Sequence, residues 1–323
     1  MSREALGLAA RRVVWSLRRP LTTGVGETRR RVLQLRLQAE DREGRGEAAP
    51  LPGLHAESLA DVEESLGRLA SRWGERAPGQ TPREWARQAG LPLPPSLEWA
   101  LDTAWREAAG EEVAEVAPPS AGLLDEPPGR WADELAARPP RAVWKVKLGR
   151  HEPAEEAAAL VGLARRFPAA AWRLDANRAF SLAGALAFQH AARPFTPQWI
   201  EEPLADPGEL LAWRRQGGWP YALDESLREP LAADLAEGAA AWVLKPSWLG
   251  PAEVERWFAR ARSLAHRDGH APACVVSSCF ETPLGLAALG RLAARAPGRP
   301  APGLGTDEWL GSCLEEEAWR PLA

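Results

Sequence analysis

Only three of the 40 basic residues in this 323-residue chain are lysines: Lys145, Lys147 and Lys245. Arginine keeps its proton at any accessible pH, whereas a lysine in suitable surroundings can lose and regain one. A sequence that meets nearly every need for positive charge with arginine keeps lysine where proton transfer is wanted. Lys145-Val146-Lys147 follows the apolar pair Val143-Trp144, and strand alternation turns both lysines to one side. Between this pair and Lys245 come three acids in similar settings: Asp175 in Arg173-Leu174-Asp175-Ala176-Asn177, Glu201 in Trp199-Ile200-Glu201-Glu202-Pro203, and Asp224 in Ala222-Leu223-Asp224-Glu225-Ser226. Lys245 itself ends the run Trp242-Val243-Leu244-Lys245.

Three carboxylates brought together repel one another unless a cation lies between them. Hard oxygen donors with no nearby histidine or cysteine favour Mg²⁺, with Mn²⁺ as a substitute of similar preference. Such an ion leaves positions for the oxygens of a small-molecule carboxylate substrate. The proton beside a carboxylate is very weakly acidic, so removing it requires a Lewis acid and positive groups to hold the enediolate that forms. Lys147 and Lys245, on opposite sides, supply a base and a second cation in this reading, and their proximity is expected to lower a lysine pKa. Taken singly, Asp-Glu-Ser suits a helix cap, Glu-Glu-Pro a turn and Lys-x-Lys a solvated strand. Their order, one ionisable group per apolar run, is what points to a site.

The elements that would position these groups are legible from about residue 118 onward, where strand-length apolar runs alternate with Ala-, Leu-, Arg- and Glu-rich stretches. The runs end near Leu124, Lys147, Asp175, Glu201, Asp224, Lys245, Ser277 and Gly305. That is the count that closes a (β/α)8 barrel, whose active site sits at the C-terminal ends of its strands. The preceding residues lack this period. Leu33, Leu35 and Leu37 alternate as in a half-buried strand, and 57–73 carries apolar residues at helical spacing. The glycine-rich stretches 22–26 and 44–53 are expected to be loops or turns. The expected organisation is an α+β domain over 1–117, a barrel over 118–305, and a segment 306–323 that packs back on the first domain.

A net charge of -4 and a pI near 5.9 argue against nucleic acid or an anionic membrane as partner, since either favours a clustered excess of lysine and arginine. No apolar run approaches the roughly 20 residues that cross a bilayer, and Met1 to Arg12 lacks the apolar centre of an export signal, so a cytoplasmic location is expected. Cys274, Cys279 and Cys313 are odd in number and form no C-x-x-C pair, which disfavours a disulfide framework or a zinc site. The sequence is silent on oligomeric state.

At its lysines and acids the chain resembles the enolase superfamily, in its muconate-lactonising subgroup. Within it, Gly46-Glu47-Ala48-Ala49-Pro50-Leu51-Pro52-Gly53 and Arg173-Leu174-Asp175-Ala176-Asn177-Arg178 are similar to motifs of the o-succinylbenzoate synthase family. The resemblance implies an α/β fold, a modified (β/α)8 TIM barrel with an α+β capping domain. It implies that Asp175, Glu201 and Asp224 ligate Mg²⁺, that Lys147 is the base, that Lys245 is a cation beside the intermediate, and that Lys145 holds Lys147 in place and depresses its pKa. Arg173 and Asn177 would order the metal site, while Ser277, Ser278, Gly303 and Leu304 would line the pocket for the substrate's tail. A loop holding Thr23, Gly24 and Gly26 would close over the substrate. The implied reaction is the syn dehydration of 2-succinyl-6-hydroxy-2,4-cyclohexadiene-1-carboxylate in menaquinone or phylloquinone biosynthesis. Relatives with the same lysines racemise N-acylamino acids or epimerise dipeptides, and a catalytically silent binding barrel is the remote alternative. Cys279 and Phe280 stand where smaller or aliphatic residues are expected, which implies an altered pocket.

Overall fold

Alternation of leucines with arginines and glutamines builds the first sheet. In the computed structural model, which describes residues 7–21, 26–39, 42–77, 79–111, 116–230 and 232–323, β1 (Gly7–Leu17), β2 (Arg29–Ala39) and β3 (Arg42–Ala48) are antiparallel neighbours. Leu33, Leu35 and Leu37 are fully buried on one face. Against that face pack α1 (Leu59–Ser71), α2 (Pro82–Gln88) and α3 (Pro95–Ala108), which share a core of Leu35, Val62, Leu66, Leu97 and Leu101 with the sheet. Ser58 and Asp61 start α1 with a reciprocal capping box, and Thr81 and Glu84 do the same for α2.

The stretch 44–53 departs from the loop expectation, because Gly44 to Ala48 lies within β3. The glycines are there for contact. A Cβ on Gly44 would sit 2.0 Å from the Ala104 carbonyl oxygen of α3, and one on Gly46 would sit 1.8 Å from that of Ala100. Only glycine lets the helix backbone lie directly on the strand. Of the expected lid, Thr22 to Val25, and so Thr23 and Gly24, lie outside the described residues, whereas Gly26 occupies a turn with φ of +66°.

The barrel begins with β4 (Gly122–Leu124) and α4 (Trp131–Ala137), and continues through β5 (Val143–Lys147), α5 (Pro153–Arg166), β6 (Ala171–Asp175), α6 (Leu182–Ala191), β7 (Trp199–Glu201), α7 (Leu210–Arg215), β8 (Tyr221–Leu223) and α8 (Ala233–Glu237). It then runs through β9 (Ala241–Leu244), α9 (Pro246–Leu249), α10 (Pro251–Asp268), β10 (Ala273–Val276) and α11 (Pro283–Ala294). Strands β4 to β10 are parallel and lie side by side in chain order. Among the described residues there are seven such strands, not eight.

The eighth position is held by the segment around Gly303. Ala121 N–H donates to the Pro302 carbonyl (2.9 Å), Gly303 N–H to that of Val276 (2.8 Å), and Ser278 N–H to that of Gly303 (3.1 Å), so this segment bonds to both edges of the sheet. Pro300 and Pro302 have no N–H to give a ladder, which is why the seam is a single bridge, Ser277 to Gly303, and not a strand. The modified barrel is in this sense closed by carbonyls and one glycine. Beyond it, β11 (Leu310–Glu316) and β12 (Arg320–Pro321) pair antiparallel with β1.

Small inward residues, Ala222, Ala241, Val243 and Val275 with Trp199, fill the barrel interior. Trp131, Trp144, Trp213 and Trp242 fill the layer between strands and outer helices. Each large buried side chain contributes about 1.5–3 kcal/mol relative to exposure. Among the described residues no helix is long and apolar enough to cross a membrane.

Candidate active site

Strand register places the chemistry. Lys147 lies opposite Asp175, and Asp175 opposite Glu201, so β5, β6 and β7 set a lysine and two acids in one row at their C-terminal ends. Asp224 directly follows β8 and Lys245 directly follows β9. All six lysines and acids line one cavity of about 150 Å³, together with Arg173, Asn177, Glu225, Ser277, Ser278 and Gly303. Leu51 and Leu54 reach the same cavity from the first domain, and Cys279 and Phe280 from the turn after β10. A larger hollow of about 360 Å³ lies beside α3, α10 and α11, but its arginines face acids, as in Arg106 with Glu111 (2.9 Å) and Arg295 with Glu111 (3.4 Å). It holds no lysine, and the proton chemistry belongs to the smaller cavity.

Within it, Lys145 Nζ lies 2.7 Å from Asp175 Oδ2 and 2.5 Å from Glu201 Oε2. Lys147 Nζ donates to Asp175 Oδ2 (2.6 Å) and to Asn177 Oδ1 (2.9 Å). On the far side, Lys245 Nζ is 2.5 Å from Asp224 Oδ2. At Lys245 these contacts reverse the expected lowering of the pKa, and Lys145 is shifted the same way. Burial alone would push Lys145 down, but Asp175, Glu201 and Asp224 outweigh it and hold the ammonium well above the usual lysine range. Lys245 is raised in the same way, burial being overcome by Asp224 and Glu225. Each of these two amines faces opposite charge at hydrogen-bond distance, so mutual repulsion of the lysines is the smaller effect. Asp175 is the counterpart: despite burial, Lys145 and Lys147 hold its carboxyl far below the usual range.

A hard divalent cation requires oxygen donors that converge on it. Lys145 stands between two of the acids, and among the described residues no three of the acids, histidines and cysteines are drawn into a tight metal-ligand cluster. Yet Asp175, Glu201 and Asp224 are each no more than 2% exposed, and Asp224 Oδ1 is buried without a hydrogen-bond partner. Burial raises the Asp224 carboxyl, and Glu201 adds to the effect. A buried carboxylate oxygen without a donor is costly, and a cation is what such an atom accepts. The residues therefore fit a hard divalent ion.

The surrounding contacts show what sequence reasoning missed. Glu202, the second acid of Glu-Glu-Pro, is buried and accepts from Asp224 N–H (2.8 Å), Ser226 N–H (3.0 Å) and Ser226 Oγ (2.7 Å), fixing the loop that carries Asp224. Glu225 lines the cavity and accepts from Asn177 Nδ2 (3.1 Å), which joins it through Asn177 to Lys147. Arg173 lines the cavity, but its guanidinium donates to Gln198 (3.0 Å) and the Ala301 carbonyl (2.6 Å), which ties β6 to the closing segment. Ser277 donates to the Gly303 carbonyl (3.3 Å), and Ser278 pairs with Thr306 (2.5 Å). Leu304 packs against the barrel core and is not part of the cavity lining. The doubled acids were the available signal for Glu202 and Glu225; Leu51 lay within the 46–53 motif without a role, and nothing local marked Leu54.

Comparison with known proteins agrees with this geometry. Residues 130–318 match the family described as enolase C-terminal domain-like, and residues 16–108 match the family described as MenC, N-terminal domain. The chain is 33% identical over 297 residues to an o-succinylbenzoate synthase of Klebsiella pneumoniae, covering 89% of this chain and 88% of that protein. It is also 33% identical over 307 residues to one of Enterobacter sp., covering 91% and 90%. Among solved structures, o-succinylbenzoate synthase from Thermosynechococcus elongatus, complexed with Mg in the active site, matches with a TM-score of 0.67 and 26% identity, covering 95% of each chain. An L-Ala-D/L-Glu epimerase matches with a TM-score of 0.74 at 20% identity over 97% of this chain and 96% of the other, a likeness of fold alone. The chain thus belongs to the o-succinylbenzoate synthase family of the enolase superfamily.

Proposed function

We propose that this chain dehydrates 2-succinyl-6-hydroxy-2,4-cyclohexadiene-1-carboxylate to 2-succinylbenzoate, a step toward menaquinone or phylloquinone. The observation that carries the reading is the enclosure of Lys147 and Lys245 with Asp175, Glu201 and Asp224 in one cavity at the strand ends. Mg²⁺, or Mn²⁺ in its place, would be held by those three acids and would supply Lewis-acid stabilisation of the substrate carboxylate. Lys147, as the free amine, takes the ring proton beside the carboxylate and then gives it to the departing hydroxyl on the same face. One C–H and one C–O bond break, water leaves, and the ring becomes aromatic. Lys145 holds the row of acids that sets Lys147 in place, while Lys245 brings positive charge to the opposite side as negative charge builds on the substrate. Leu51, Leu54 and Phe280 keep water from that charge. Asn177 orients Lys147. We assign residues 1–117 with 306–323 to the capping domain and 118–305 to the barrel, and the net charge of -4 suits a cytoplasmic enzyme of a small carboxylate.

The test is product absorbance from purified protein and the cyclohexadiene carboxylate. Turnover should need Mg²⁺, stop with EDTA and return when Mg²⁺ is restored. Absence of product at high enzyme concentration, with deuterium wash-in at the α-carbon of N-succinyl amino acids, would replace this reading with a racemase.

A further inference from the structure

Arg30 is a charged side chain that the chemistry above does not use, and it is 1% exposed. Its guanidinium donates to four carbonyls from two loops. In the first domain these are Ala49 (2.6 Å) and Pro50 (3.1 Å); after β10 they are Phe280 (2.9 Å) and, at the limit of hydrogen-bond length, Cys279 (3.5 Å). The first loop runs directly into Leu51 and Leu54, and the second carries Cys279 and Phe280. All four of those side chains line the catalytic cavity. Arg30 thus joins two facing walls of the pocket from behind.

The second wall needs such a hold. Phe280 has φ of +62°, a backbone conformation that a bulky side chain rarely adopts and that persists only when its surroundings impose it. The carbonyl of that residue is bonded by Arg30, and the Glu281 carboxylate accepts from Cys279 N–H (2.6 Å) and Ser247 Oγ (2.7 Å). Glu47, on β3, accepts from Thr282 N–H (2.7 Å). The fixed turn lays the Phe280 ring edge-on against Trp309, with ring centroids 5.3 Å apart, in an apolar cluster with Leu21, Leu51 and Leu54. Burial pushes the Glu47 and Glu281 carboxyls up while Arg30 draws both back, so the cation also steadies the acids that complete the clamp.

We propose that Arg30 is a positioning residue for substrate selection: by bridging the carbonyls of both loops it sets the width of the apolar chamber in which the substrate's ring must lie. Lysine cannot replace it, because only the planar guanidinium presents enough donors in a fixed fork to serve both loops. The inference rests on the proposed dehydration for its kinetic consequence and on Cys279 for a readout that needs no activity.

The experiment takes the full chain with Cys313→Ser, removing the exposed thiol and leaving Cys274 and Cys279, both buried. Arg30→Lys is compared with this parent in two assays: maleimide labelling under native conditions, sited by peptide mass, and steady-state kinetics with the cyclohexadiene carboxylate. Cys279 should be labelled at least tenfold faster in the variant while Cys274, inside β10, stays as protected as in the parent. KM should rise at least tenfold with kcat within threefold. Unchanged Cys279 labelling overturns the proposal, as do equal gains at both cysteines, which would mean general loosening, and a fall in kcat with KM unchanged. If the parent itself does not turn over, the dehydration reading fails and the labelling alone judges Arg30. Arg30→Gln is the second variant and is judged the same way; failure of both to fold overturns a positioning role.

Discussion

A lysine's chemistry is decided by what it faces. Lys145 and Lys245 both meet carboxylates at hydrogen-bond distance, and both are held in the charged form. The sequence identified these groups through their rarity and spacing, yet it suggested mutual repulsion because it could not show which group each amine would touch. Distances of 2.5–2.7 Å to opposite charge are a property of side-chain rotamers across strands. Arg173 makes the same point: the family resemblance implied a role in ordering the metal site, and the residue does line the cavity, while its guanidinium ends on Gln198 and Ala301. Asp224 carries the residue-scale prediction, since its Oδ1 is a buried acceptor without a donor beside the other acids of the row. Asp224→Asn should raise the Mg²⁺ concentration needed for half-maximal binding by tenfold or more, about 1.4 kcal/mol. Calorimetric Mg²⁺ titration reads this directly, and an unchanged affinity would remove Asp224 from the ligand set.

Elements were legible where periodicity alone determines them and obscure where contact between elements does. The leucines of β2 and the strand ends at Lys147, Asp175 and Glu201 stood out because alternation and apolar runs are local properties. Gly44 and Gly46 read as a loop because the reason for them, the backbone of α3 at under 2.5 Å from an added Cβ, lies some 60 residues away in the chain. The eighth barrel unit was counted as a strand, but prolines at 300 and 302 leave it as a seam. The glycines make the contact argument measurable. Gly46→Ala should destabilise the fold by about 1–3 kcal/mol through overpacking. Gly67→Ala, in the exposed face of α1 with nothing within 4 Å of an added Cβ, should stabilise it by about 0.5–1 kcal/mol. Urea unfolding of the two variants checks both signs, and a stabilised Gly46→Ala would show that the strand–helix contact is looser than described.

At the scale of the whole molecule, two packed units enclose one cavity, and their junction combines an apolar cluster with buried polar groups. His55 is part of it: its Nδ1 accepts from Leu51 N–H (3.0 Å) and its Nε2 lies 3.2 Å from the carbonyl of Ser247 in α9. Burial lowers its pKa to about 4, so the folded protein holds it neutral where the unfolded chain, near 6.5, takes up a proton. Stability from this group is complete above pH 6.5 and is lost as pH falls toward 4, amounting to about 2 kcal/mol between pH 7 and pH 5. The raised carboxyls of Glu47 and Glu281 act in the opposite sense, so the informative quantity is the difference between parent and His55→Gln. Urea unfolding at both pH values should show the parent losing more stability than the variant, and equal losses would contradict the assignment. The central claim is that this enclosed chamber works by passing one proton through Lys147, and the most direct test is the turnover of Lys147→Arg. Charge is kept while the removable proton is lost, so kcat should fall at least a thousandfold with unfolding temperature unchanged. Residual activity within tenfold of the parent, about 1.4 kcal/mol of barrier, would contradict the account.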